Sequence, residues 1–377
     1  MKIGFLINYF YPYKGGAEDN CFYLARELAK KHEIHIFTSL LPKTKKYGVI
    51  DKIHIHRYNT LFRYKYYLSF TPELLNAILN AKLDILHVHS FGFLYHDLIV
   101  LLKKITSKTK IINTPHGPFM ALPHYNILAR IFRFKIRLIE KFFNKNYDAV
   151  IQVNPYQYKW LIKSGINKNK IYFIPNGITK NAFKKVNTKN FINKYKLKNK
   201  FIISYLGRIQ NYKGLDQIIN ILPYFYENII FLVMGKDAGD LLRLKKLTNK
   251  LNINNRIIFT GEISNDDVFA ALKISKIFIM PSQWEAFGIS ILQAMAQGNA
   301  IISTKTEGGK FLIKDRENGF LFNYDNLDEL REKLDLLIKN NKLRNKISKN
   351  NIKKAKKFLW DNIVKDLEKL YISLLSK

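Results

Sequence analysis

The sequence predicts an α/β fold in two parts, and three observations carry that expectation. Short apolar runs of strand length recur along the chain, separated by stretches with apolar residues at helical spacing. Glycines stand where the runs end, as strand–loop–helix units require at the ligand edge of a parallel sheet. At 377 residues the chain is long enough for two domains, each with its own core. The alternation occurs in two coarse halves, and no repeat of solenoid length overrides it.

The first half opens with a strand over Lys2 to Phe10 (KIGFLINYF). Gly15 and Gly16 follow, then a helix from Ala17 to about Lys31 and a strand from Ile34 to Thr38. This is a βαβ opening with a glycine turn at the first strand's C-terminal end, where doubly wound sheets bind ligands. The turn is not G-x-G-x-x-G, so the dinucleotide fingerprint is absent. A Gly-Gly pair also simply makes a turn. Cys21 shares a helix face with Leu24, Ala25 and Leu28, which predicts a buried structural thiol. As the only cysteine it excludes an intrachain disulfide and fits a reducing cytoplasm.

Asp84 to His89 (DILHVH) and Lys110 to Thr114 (KIINT) read as buried strands. They lead into Ser90-Phe91-Gly92 and Pro115-His116-Gly117-Pro118, on the sheet edge that carries Gly15 and Gly16. His89 and His116 thus converge on one rim, as catalytic groups or as satisfied structural histidines. Asn126 to Phe143 is a basic amphipathic helix. Ile127, Leu128, Ile131, Phe134, Leu138, Ile139 and Phe142 share one face, with Arg130, Arg133, Arg137 and Lys141 on the other. Two readings stand: a helix lying on an anionic bilayer, or a core helix with a solvated basic side. Arg57 to Tyr67 (RYNTLFRYKYY) would join the same surface.

Asp148 to Val153 is a further strand. Asn181 to Lys200 carries Lys184, Lys185, Lys189, Lys194, Lys196, Lys198 and Lys200 with no acid, and reads as the connection between the halves. Strands are then expected at Phe201 to Leu206, Ile229 to Met234, Ile257 to Thr260 and Gly319 to Phe322. The second half is organised around Ile277 to Ser303 (IFIMPSQWEAFGISILQAMAQGNAIIS). Ile277 to Met280 is a buried strand that Pro281 ends, since proline cannot donate to a ladder. Ser282 to Gly288 is a loop carrying Glu285, and Ile289 opens a helix that Gly298 closes. The loop sets a carboxylate beside a helix N-terminus, whose unpaired N–H groups favour an anion. Glu285 is equally an acidic residue of the kind favoured near a helix start. Ile363, Val364, Leu367, Leu370 and Leu374 give the final helix an apolar stripe, so it docks on something.

The net charge of +34 predicts anionic partners: phosphorylated ligands, an acidic membrane surface or nucleic acid. The chain shows no zinc site or helix-turn-helix signature, so nucleic acid is not expected, although a nucleic-acid-binding protein stays open as an alternative. No apolar run reaches the length of a membrane span and no signal peptide precedes the first strand. A cytoplasmic protein, peripheral on the inner face of the cell membrane, is expected.

Taken together, YLGRIQNYKGLDQII, FLVMG, FTGEIS and PSQWEAFGISILQAMAQGNAIIS resemble the retaining family-4 glycosyltransferases of the GT-B architecture. NYFYPYKGGAEDN, DILHVHSFG, NTPHG and IPNGI agree in the first half, and the order is collinear over nearly the whole chain. The resemblance implies two Rossmann-like domains facing across a cleft, with the last helix crossing back to the N-terminal one. The domains implied are 1–175 with 359–377 for the acceptor, and 176–358 for the nucleotide-sugar donor.

By the same resemblance Arg208 and Lys213 bind the donor diphosphate, and Glu285 stands beside the donor sugar as the first position of E-x7-E. Ala286, Phe287 and Gly288 offer backbone groups to the sugar, and Ile289 and Ser290 offer N–H groups to the phosphates. Gly15 and Gly16 belong to a loop closing over the donor, and His116 reaches the sugar. Gln293 departs from the family, which usually has glutamate there for the ribose hydroxyls. A further departure is Lys310-Phe311 after Glu307-Gly308-Gly309, without the glutamate often found there. No Asp-x-Asp triplet occurs in the sequence, so no metal and no cofactor are expected, the nucleotide-sugar being a substrate. The acceptor implied is a lipid-linked or cell-surface glycan precursor, and the anomeric configuration is retained. A catalytically silent partner subunit is the alternative that Gln293 raises.

Overall fold

The computed structural model describes residues 1–13, 15–64, 68–117 and 127–376, with side chains except at 64, 68 and 127–132. The end of the Arg57 to Tyr67 run (65–67), Pro118 and Asn126 lie outside the described residues, as do the side chains of Ile127, Leu128, Arg130 and Ile131. The chain forms two compact units, Met1–Gly177 with Trp360–Lys377, and Ile178–Leu359.

The first unit runs β1 (Lys2–Leu6), α1 (Gly16–Leu28), β2 (Glu33–Ser39), β3 (Tyr47–Ile50), β4 (Ile53–Tyr58), β5 (Phe62–Tyr64), β6 (Leu68–Phe70), α2 (Pro72–Asn80) and β7 (Ile85–Val88). It continues through α3 (Leu94–Thr106), β8 (Lys110–Asn113), α4 (Ile127–Phe143), β9 (Ala149–Gln152), α5 (Tyr158–Lys163) and β10 (Ile171–Phe173). Among the described residues eight strands form one sheet in the order β10-β9-β8-β7-β1-β2-β4-β3. Every pairing is parallel except β3 with β4. The sequence does not anticipate β3–β4. In β4 the inward Ile53 and Ile55 alternate with His54 and His56, which form an outer row with His35 of β2. His35 Nδ1 lies 2.9 Å from His56 Nε2, and its Nε2 lies 2.8 Å from Glu33.

The second unit runs α6 (Lys189–Lys194), β11 (Phe201–Leu206), α7 (Leu215–Ile221), β12 (Ile229–Met234), α8 (Leu241–Lys250), β13 (Ile257–Gly261), α9 (Asn265–Ile274) and β14 (Ile277–Met280). After it come α10 (Ile289–Ala296), β15 (Ala300–Thr304), α11 (Glu307–Leu312), β16 (Phe320–Phe322), α12 (Leu327–Lys339) and α13 (Asn341–Lys356). Its sheet, in the order β13-β12-β11-β14-β15-β16, is wholly parallel. The expected connection at Asn181 to Lys200 is a correction. Ala182, Phe191 and Leu197 are buried, and Gln297 Nε2 donates to the Ala182 carbonyl at 2.6 Å, so the lysine-rich stretch is folded into this unit. Its lysines alternate with the apolar residues that anchor it, a pattern charge counting overlooks.

The last helix, α14 (Trp360–Leu375), returns to the first unit as the apolar stripe implies. Trp360, Leu367, Tyr371 and Leu374 pack with Cys21, Leu24 and Leu28 of α1 over Phe5 and Ile34 of the sheet. Each such side chain contributes about 1.5–3 kcal/mol when fully buried. Cys21 is fully buried and its thiol is pushed well up, first by burial and then by Glu18, so it is an inert filler. Among the described residues no helix is long and apolar enough to cross a membrane.

Candidate functional site

In the second sheet, β11 and β14 are neighbours from which the chain winds outward in opposite directions. Open parallel sheets leave a crevice at such a reversal, beyond the strands' C-terminal ends. The loops 207–214 and 281–288 meet there. Gly214 sits at φ +65°, and a Cβ on it would lie 2.4 Å from the Pro281 carbonyl oxygen, so only glycine allows the approach. Gln217 Nε2 donates to that carbonyl at 2.9 Å, Thr304 Oγ1 to the Ser282 carbonyl at 2.6 Å, and the Gln283 N–H to the Tyr212 carbonyl at 2.8 Å.

These contacts bring Lys213 Nζ to 2.8 Å from Glu285 Oε2. Lys213 is only 9% exposed. Burial pulls its pKa down, but Glu285 and the phenols of Tyr205 and Tyr212 outweigh burial, and the net shift is upward. The ammonium is therefore a fixed cation. Arg208 lies on the same loop with its side chain exposed, and its carbonyl accepts from Tyr205 Oη at 3.0 Å. Sequence reasoning missed Tyr205, a buried strand residue whose hydroxyl needs a partner, and Gln217, for which the sequence holds no signal.

Glu285, Ala286, Phe287 and Gly288 are fixed by their own backbone. The Gly308 N–H donates to the Glu285 carbonyl at 2.9 Å, and a Cβ on Gly308 would lie 2.4 Å from the Phe287 carbonyl oxygen. The Phe287 ring is buried against Phe311 and Phe358. Gly288, at φ +87°, starts α10 with no side-chain cap, which leaves the N–H groups of Ile289 and Ser290 without helical partners. Gln293 is half-buried one turn further on. Beyond the ends of β12 and β13 a cleft of about 550 Å³ is lined by Ile209, Gly235, Lys236, Thr260, Gly261 and Glu262. A larger cleft of about 790 Å³ lies between Tyr224 and α12, lined by Asp328, Glu329, Glu332 and Asp335. Four carboxylates against the single cation Arg331 make its lining unsuited to phosphate. Among the described residues no group of three or more His, Cys, Asp or Glu is placed to hold a metal ion.

In the first unit β1, β7 and β8 end on one edge. Gly15 and Gly16 open α1 there. His89 and His116, expected on one rim, are in contact, with Nδ1 of His89 3.0 Å from Nε2 of His116. His87, one pleat earlier, spans Tyr371 Oη at 2.6 Å and Thr114 Oγ1 at 2.7 Å. Burial holds the His116 and His96 rings down at about 4 and His87 at about 3, with His89 well below its ordinary value. Burial also takes His56 to about 4 and lowers His35. Unfolded, these rings titrate near 6.5.

Below about pH 6.5 the unfolded chain therefore takes up protons that the folded chain refuses, and stability falls as the pH drops towards 4. Asp97 and Glu140 oppose this. Burial raises both to about 7, so their contribution is greatest below about pH 4 and is lost as the pH rises to 7. Six rings outweigh two carboxyls. Thermal unfolding followed by circular dichroism should show Tm dropping from pH 6.5 to 4.5, with a slope of about 1.4 kcal/mol per pH unit for each uncompensated buried ring. A flat or rising Tm on acidification would contradict it.

On α4 the apolar face faces outward. Phe134, Leu138, Ile139 and Phe142 are 64%, 54%, 41% and 60% exposed, with Lys135, Arg137 and Lys141 beside them. Ile136 and Glu140 are the buried residues of this helix among those with described side chains. The core-helix reading fails for this face.

A reversal point with a fixed cation on one loop and an uncapped helix N-terminus after the other is an arrangement in which open α/β sheets commonly bind phosphorylated ligands. Comparison with known proteins narrows the class. Residues 14–181 match Glycosyltransferase Family 4, and residues 187–354 match Glycosyl transferases group 1. An uncharacterized glycosyltransferase of Methanocaldococcus jannaschii is 27% identical, covering 100% of this chain and 99% of its own. The phosphatidylinositol N-acetylglucosaminyltransferase gpi3 subunit of Schizosaccharomyces pombe is 23% identical over 98% of this chain and 80% of its own. In fold, HepE of Anabaena, solved in complex with UDP and glucose, superposes with TM-score 0.79 at 19% identity, covering 99% of this chain and 100% of that one. The chain belongs to the family-4, group 1 glycosyltransferases, with the GT-B fold.

Proposed function

We propose that the protein moves a sugar from a nucleotide-sugar to a lipid-linked or cell-surface glycan precursor with retention of configuration. The observation that carries this is the Lys213–Glu285 pair beside the uncapped N-terminus of α10. Lys213, Arg208 and the N–H groups of Ile289 and Ser290 hold the diphosphate, and the base enters the 550 Å³ cleft at Gly235 and Gly261. Glu285 and the backbone of Ala286, Phe287 and Gly288 face the sugar. Gly15, Gly16 and His116 meet the donor from the first unit. The bond from the anomeric carbon to the leaving phosphate oxygen breaks as the acceptor oxygen bonds to that carbon on the same face. The acceptor's proton passes to the leaving phosphate. Charge building on the β-phosphate is met by fixed cations and helix N–H groups, without a metal.

The apolar, basic-flanked face of α4 supports an anionic membrane surface as the place where a lipid-linked acceptor is met, on the cytoplasmic side. The gpi3 relative, named for a lipid acceptor, supports the same acceptor class. A thermal-shift screen with UDP-, GDP- and ADP-sugars, followed by turnover of those that bind, tests the reading. Stabilisation by one class and transfer to a lipid-linked acceptor is expected; no stabilisation by any would overturn it, and binding without hydrolysis or transfer would favour a silent partner subunit.

Gln293 accepts from the ribose hydroxyls without charge. A charge-assisted bond is worth about 1.5–3 kcal/mol against about 0.5–1.5 for a neutral one. Gln293→Glu should tighten donor binding by roughly tenfold, about 1.4 kcal/mol. An unchanged Kd in calorimetry would remove Gln293 from the ribose.

A further inference from the structure

We infer that His89 is a positioning residue that fixes His116 with its proton on Nδ1, so that His116 meets a substrate oxygen as a hydrogen-bond donor and not as a base. This rests on His116 facing the donor sugar, as proposed above.

A single proton is shared between the two rings. Nδ1 of His89 and Nε2 of His116 are 3.0 Å apart, so one donates and the other accepts. If His116 donated, His89 would carry its own proton on Nε2. That atom is buried and has no hydrogen-bond partner among the described residues. The His89 ring lies against His87, 4.5 Å between centroids, and against Phe5 at 5.6 Å. An N–H pointing into this pocket would be an orphan donor, at a cost of about 1–3 kcal/mol. Orphaned buried N–H groups are rarer in proteins than under-satisfied acceptors. His89 therefore carries its proton on Nδ1 and gives it to Nε2 of His116. A neutral His116 ring then has its own proton on Nδ1. Burial keeps both rings neutral near pH 7.

The pair is held from behind. His87 bridges Tyr371 of α14 and Thr114 at the end of β8, two residues before His116. The His89 and His116 rings stack, and His87 lies tilted behind them, so the three form a braced column at the sheet edge. A donor at Nδ1 suits a sugar hydroxyl or carbonyl oxygen, and it leaves the ring unable to take the acceptor's proton from that side. The proton must go to another group, and the departing phosphate is the one at hand.

The test is long-range proton–nitrogen correlation on the full chain labelled with 15N-histidine at pH 7.5, with His116→Gln identifying the His116 signals. Expected is a protonated-type shift at Nδ1 and an unprotonated-type shift at Nε2; the reverse would overturn the assignment. In turnover, His89→Asn keeps an amide donor near the Nδ1 position and should hold kcat within a few-fold. His89→Asp puts an acceptor there, should move the His116 proton to Nε2, and should lower kcat roughly 10- to 100-fold, the scale for partners that orient a ligating histidine. Equal losses in both variants, with the His116 proton unmoved, would mean His89 only fills space. If a variant fails to fold, the spectrum of the unaltered chain still decides. A His116 protonated on Nδ1 in a chain that processes no nucleotide-sugar would remove the proposed function and leave the pairing intact. An active enzyme with the proton on Nε2 would do the opposite.

Discussion

Lys213→Ala is expected to lower kcat by about 10²- to 10³-fold, the loss typical of removing one preorganised donor from a developing anion. Lys213 is held in place, buried and 2.8 Å from Glu285. Its charge is in place before the leaving diphosphate becomes more negative, so little reorganisation is needed. Donor KM should rise far less than kcat falls, because Arg208 and the α10 N–H groups still hold the ground-state diphosphate. Lys213→Arg keeps the charge with a different reach and should fall between. Removing the cation also strands a carboxylate that is mostly out of water, so a stability loss of about 1–3 kcal/mol should accompany it. Steady-state kinetics beside a melting curve separates the two effects. Turnover near that of the unaltered chain, in a folded variant, would take Lys213 out of the chemistry.

Changing Phe134, Leu138 and Phe142 together to serine should weaken binding to anionic vesicles by at least about 100-fold. These side chains are already exposed, so the fold should survive with an unchanged Tm. Each large apolar side chain is worth about 1.5–3 kcal/mol when wholly removed from water, and part of that at a headgroup boundary. Reversing Arg137 and Lys141 to glutamate should act more weakly, by about 1 kcal/mol per residue, and the effect should fade at high salt. Co-sedimentation with phosphatidylserine-containing vesicles reads both. Sedimentation of the serine variant equal to that of the unaltered chain would leave α4 without a membrane role.

Much of the fold was legible because parallel strands are buried on both faces. Phe201 to Leu206 and Ile229 to Met234 are apolar runs with nothing to confuse them, and the structure has them at those bounds. Gly298, expected to close a helix, does so at φ +83°. The edge was harder. In β4 the outward-facing His54 and His56 alternate with Ile53 and Ile55, so the strand reads as polar loop, and its partner β3 is only four residues long. The N-terminal strand, expected to reach Phe10, ends at Leu6, although the Asn8 carbonyl beyond it still accepts from the Ser39 N–H at 3.3 Å and from Thr38 Oγ1 at 3.1 Å in β2. On α4 the sequence displays the stripe but not its direction, which is why two readings stand; in the structure Glu140 is buried while Phe134, Leu138, Ile139 and Phe142 face outward, and no periodicity announces a buried glutamate. The site divides similarly. Glu285, Lys213 and the glycine frame are visible as motifs, whereas their contact is a product of two loops 72 residues apart.

The return of α14 to the first unit carries a consequence for how the protein is made. The amino-terminal unit is begun first but completed only after the second unit has been made, since Trp360, Leu367 and Tyr371 follow that unit in the chain. Until then the groove beside α1 is bare hydrocarbon and His87 lacks its phenol partner. The nascent chain must tolerate a half-built first unit while the second completes itself, and a ribosome that stops short of the final helix releases a protein with both motifs intact and an unfinished core.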